Sequence, residues 1–83
     1  MTRITFRDED GRPVAGAVVA ITAAPAEMTD LGYVADGDGS VALSLSEPGD
    51  YRFALTGADG RPLTASARLS PGIGAVLLAR PAG

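Results

Sequence analysis

Apolar and polar residues alternate with a period of two through most of this chain, and Gly and Pro cut the alternation about every eight to twelve residues. That pattern predicts short strands and leaves no space for a long amphipathic helix. The first run, residues 3–7, places Ile4 and Phe6 on one face and ends in the polar turn 8–13. In residues 17–23, Ala17, Val19 and Ile21 face one way and Val18, Ala20 and Thr22 the other. Both faces are apolar enough for a central strand. Residues 24–32, with Pro25 and Thr29-Asp30, predict the longest irregular stretch. Residues 33–35 form a short strand, ended by Asp36-Gly37-Asp38-Gly39, a hairpin signal. Residues 40–46 alternate cleanly, with Val41, Leu43 and Leu45 inward. After the turn 47–50, Tyr51, Phe53 and Leu55 make another apolar face, followed by alternating residues at 63, 65, 67 and 69 and a last strand over 74–80. Seven runs of this kind predict one all-β domain over residues 1–83, a seven-stranded antiparallel β-sandwich.

Composition narrows the chemistry. The 83 residues include no His, Cys, Lys, Asn, Gln or Trp, and 46% of them are hydrophobic. A mean hydropathy of +0.17 is too high for a disordered chain. Serines 40, 44, 46, 66 and 70 therefore have no histidine, lysine or cysteine to serve as base or partner, and no enzyme is expected. The seven cations are all arginines, scattered from Arg3 to Arg80 in a chain of net charge −3, which argues against a nucleic-acid footprint. The N-terminal residues pass directly into an alternating run with no apolar leader, so a cytoplasmic, soluble protein is expected. No apolar stretch approaches the ~20 residues of a membrane-spanning helix.

The punctuation resembles that of the carboxypeptidase regulatory-like domains, a transthyretin-like (prealbumin-like) β-sandwich family, and is similar to that of the B-type repeats of collagen adhesins. Gly11, Pro13, Val14, Gly16, Ala17 and Val19 follow the family's Gly-x-Pro-Val-x-Gly-Ala-x-Val opening. Asp36 with Gly39 looks like its Asp-x-x-Gly turn, and Pro48, Gly49 and Tyr51 look like its Pro-Gly-x-Tyr strand entry. The likeness spans roughly residues 3–80 and implies a non-catalytic accessory, stalk or adaptor module. It does not extend to two special chemistries. The Lys–Asn isopeptide bond of some adhesin repeats needs residue types absent here, and so do the histidines and lysine of transthyretin-like hydrolases.

Four features remain as candidates. Asp36, Asp38 and Glu47 superficially echo a calcium loop, but the sixth position, glycine in such loops, is Val41, so a hairpin is the better reading and no metal or cofactor is expected. The acidic run Asp8-Glu9-Asp10 reads as a solvated turn. Asp10-Gly11-Arg12-Pro13-Val14 is echoed by Asp59-Gly60-Arg61-Pro62-Leu63, but the flanks differ, as expected for two uses of one turn chemistry. The loop 24–32 is the best recognition element, with Met28, Thr29, Asp30, Leu31 and the adjoining Tyr33 as partner-binding residues. Together these readings predict a protein-interaction or adaptor module, possibly a small subunit of a larger assembly, that contacts another protein or a second copy through this loop and a sheet edge. The rival is a small-ligand or carbohydrate-binding module anchored on Tyr33.

Overall fold

A computed structural model of the chain describes residues 1–25 and 32–82. Among these residues the chain forms strands and turns and no helix. The strands in chain order are β1 (Thr2–Arg7), β2 (Val18–Ala23), β3 (Tyr33–Val34), β4 (Ser40–Leu43), β5 (Gly49–Thr56), β6 (Pro62–Leu69), β7 (Ala75–Leu78) and β8 (Arg80–Pro81). They make two sheets, β4-β1-β7 and β3-β2-β5-β6-β8.

One hydrophobic cluster lies between the sheets, because the strands other than β8 present their alternate apolar residues to it. In β5, Tyr51, Phe53 and Leu55 are buried while Asp50, Arg52, Ala54 and Thr56 are exposed. From the other sheet β1 contributes Ile4 and Phe6, and the rings of Phe6 and Phe53 meet edge to face with centroids 5.3 Å apart. The polar members of the core are satisfied: the Thr2 hydroxyl accepts the Gly72 amide (2.9 Å), and the Thr5 and Ser40 hydroxyls share a hydrogen bond of 2.8 Å. Tyr51 is anchored by its hydroxyl, which donates to the Glu47 carbonyl at 2.6 Å across the turn before β5. This is a tyrosine corner, a common brace of β-sandwiches.

Three expectations are corrected. The seven-stranded count becomes eight, because the expected last strand over 74–80 divides at Ala79. That residue is buried, donates its amide to the Arg7 carbonyl (2.7 Å), and marks where the chain crosses from the three-stranded sheet to the five-stranded one. Nor is the pairing antiparallel throughout: β1 pairs with β7 in parallel, from Ile4↔Ala75 to Arg7↔Leu78. Parallel neighbours need a long crossover, and here almost the whole chain supplies it. The strand expected over 40–46 is also shorter as a ladder. Leu45 is still buried, but pairing with β1 stops at Thr2↔Leu43, where β1 begins.

Candidate functional site

The hairpin expected at residues 36–39 is instead a turn that crosses between the sheets, since β3 pairs with β2 and β4 with β1, and this turn is a closed unit. Asp36 Oδ1 accepts the amides of Asp38 (2.9 Å) and Ser40 (3.0 Å), and the Gly39 amide donates to the Asp36 carbonyl (3.0 Å). Asp36 and Asp38 each lie near Arg3, at 3.5 and 3.4 Å, on an exposed surface where such pairs contribute little. The backbone amide of Ser40, then that of Asp38, hold the Asp36 carboxyl below its ordinary value of 3.8. No group of three or more acidic, His or Cys side chains suited to a metal ion occurs among the described residues.

The sign of the Asp36 effect gives a test. Because the carboxyl is more acidic in the folded chain, its contribution is present above the unfolded value of about 4 and is lost as pH falls through the depressed folded value. Melting temperature should therefore fall more steeply below about pH 4 in the native chain than in Asp36→Asn, whose amide oxygen still accepts both hydrogen bonds but does not titrate. Parallel acid limbs in the two proteins would show that Asp36 is not the group responsible.

Of the expected partner-binding residues, Met28, Thr29, Asp30 and Leu31 lie outside the described residues. Tyr33 stands in β3 opposite Val19, half-buried and packed against the core cluster. Part of its ring is therefore committed to the sandwich and withdrawn from any stacking surface.

The sheet edges differ sharply in how they are protected. β3 and β8 have two residues each, and β8 consists of a charged residue and a proline. Short edges and such residues discourage pairing with other chains. β4 is flanked by the Arg3–Asp38 pair and presents the small Ala42 outward. β7 has none of these devices. No charged residue occurs between Arg68 and Arg80, β1 is its only ladder partner among the described residues, and Ile73, Val76 and Leu78 are 65%, 67% and 43% exposed. Sequence reasoning missed these three residues. The run 75–79 is apolar at every position, so its sequence does not tell the inward face from the outward one; Ala75, Leu77 and Ala79 pack against the core and Val76 and Leu78 do not.

No family model matches the chain, and no curated protein matches it.

Proposed function

We propose that this protein is a non-catalytic interaction or adaptor module of the carboxypeptidase regulatory-like, transthyretin-like type, and that it docks to another protein strand through β7. The observation that carries this reading is the unprotected edge: exposed apolar side chains at Val76 and Leu78 beside a backbone flank with no ladder partner among the described residues. An added strand would satisfy those backbone groups and cover the side chains together. The residue inventory agrees, since a chain without His, Cys or Lys has few means of activating a nucleophile. Several motif positions are engaged in the framework. Gly16 donates its amide to the Ala35 carbonyl, Val14 donates its amide to the Phe6 carbonyl, and the Tyr51 hydroxyl braces its turn.

The test is the double variant Val76→Lys/Leu78→Lys. Both positions are exposed, so the melting temperature should stay within a few degrees of the parent. Association, read by light scattering for self-pairing and by affinity capture from the native cell extract for a partner, should weaken about tenfold or more, because two charges would enter a desolvated contact. A parent protein that is strictly monomeric and captures nothing, or a variant that associates as well as the parent, would overturn the proposal.

A further inference from the structure

We infer that the cleft between the two Asp-Gly-Arg-Pro turns receives a basic segment of a partner protein, with an apolar side chain on the cleft floor and lysine or arginine at its rim. This deepens the interaction reading above and rests on it.

The two echoed turns, one after β1 and one joining β5 to β6, line the same cleft of about 720 Å³ at one end of the sandwich. Its floor includes Val14, Leu63 and Ala79, and prolines from both turns narrow its walls. Asp8, Glu9, Asp10 and Asp59 also line it, against one cation, Arg61. These five residues sum to −3, and the other six acids and six arginines of the chain cancel, so the entire net charge of the protein is placed on this cleft. Asp8 and Asp59 each accept backbone amides of their own turns, whereas the Glu9 and Asp10 carboxylates have no hydrogen-bond or ion-pair partner among the described residues.

The combination selects the occupant. A free cation would leave the apolar floor wet, and an apolar ligand would leave the surplus negative charge unanswered. A peptide segment carrying both kinds of side chain answers both, and the concentrated field would also steer it to the cleft. The cleft is continuous with the proposed docking edge: Leu78 of β7 pairs with Arg7, next to Asp8, and the chain leaving β7 supplies Ala79 to the floor. A strand laid along β7 thus ends beside the acidic rim.

The experiment uses two labelled hexapeptides, one alternating leucine with arginine and one alternating leucine with glutamate, followed by fluorescence anisotropy and by amide chemical-shift mapping on the whole chain. The arginine peptide should bind, with shifts concentrated at Val14, Ala58 and Leu63, and its affinity should fall as salt is raised. Glu9→Gln/Asp10→Asn should weaken it about fivefold or more. Ala58→Arg, which puts a cation into the cleft from an exposed position, should abolish it. Equal binding of the glutamate peptide, shifts spread over the whole sandwich, or no binding of either peptide would overturn the inference. The Val76→Lys/Leu78→Lys variant separates the two proposals. If it loses its partner while the parent ignores both peptides, the edge stands and the cleft falls; if the parent binds the arginine peptide but has no edge-dependent partner, the reverse holds.

Discussion

Replacing Phe6 by alanine is expected to lower the unfolding free energy by about 3–5 kcal/mol, the range for removing a fully buried aromatic side chain. An 83-residue domain holds only about 4–12 kcal/mol in all, so the variant should sit at or near the threshold of folding. The reason is positional. Phe6 belongs to the three-stranded sheet, and its ring meets Phe53 of the five-stranded sheet edge to face, so truncation opens a cavity at the contact that holds the layers together. Phe6→Leu keeps most of the volume and should cost about 1–1.5 kcal/mol. Urea denaturation of the two variants reads the difference as a shift in midpoint with little change in slope. If Phe6→Ala lost less than about 1 kcal/mol with an unchanged slope, the two sheets would not share a core at this point.

Phe6 also marks where the sequence was readable. Its place on the inward face of a strand follows from alternation alone, as do those of Ile4, Val41, Leu43, Tyr51, Phe53 and Leu55, all buried. Alternation reports which way a side chain points relative to its neighbours, and that is enough to recognise two half-buried sheets. It does not report which strand lies alongside. Nothing local in residues 4–7 or 75–78 announces that they run parallel, because the pairing is chosen by the shape of the whole core. The division at Ala79 was hidden for the same reason: nothing local in residues 74–81 marks where the chain leaves one sheet for the other.

The site was harder to read than the fold. The edge at β7 was not marked in the sequence, since a run of apolar residues has the same signature whether its second face meets protein, a partner or water. The echo of Asp-Gly-Arg-Pro was visible, but that the two turns meet around one cleft depends on the closure of the sandwich. The carboxylates of Asp8, Glu9 and Asp10 looked merely solvated because Asp59, far along the chain, could not be placed beside the same cleft.

Gly39→Ala is expected to be the second large effect, a loss of about 2–4 kcal/mol, from a substitution that adds a single methyl group. Gly39 is buried with φ of +75°, a conformation that costs an L-residue about 1–2 kcal/mol. The added Cβ would also stand 2.6 Å from the Phe6 carbonyl oxygen and 2.8 Å from the Val14 amide nitrogen. Both are backbone atoms, so no rotamer change relieves the clash. The chain itself must move, and it would move at the Phe6 amide to Gly39 carbonyl hydrogen bond that ties the turn to β1 and at the Val14 amide to Phe6 carbonyl bond that holds residue 14 against the same strand. Gly37, in the same turn, supplies the control: it has no positive φ and nothing within 4 Å of an added Cβ, so Gly37→Ala should be within about 0.5 kcal/mol of the parent. Thermal melts should separate the two alanine variants by roughly 10–25 °C. Equal melting temperatures would mean that the turn does not press against β1 as described. Because the displaced backbone belongs to Phe6, the loss from Gly39→Ala combined with Phe6→Leu should differ from the sum of the single losses by at least about 0.5 kcal/mol. Such non-additivity is expected of neighbours that share a strained contact and not of independent sites.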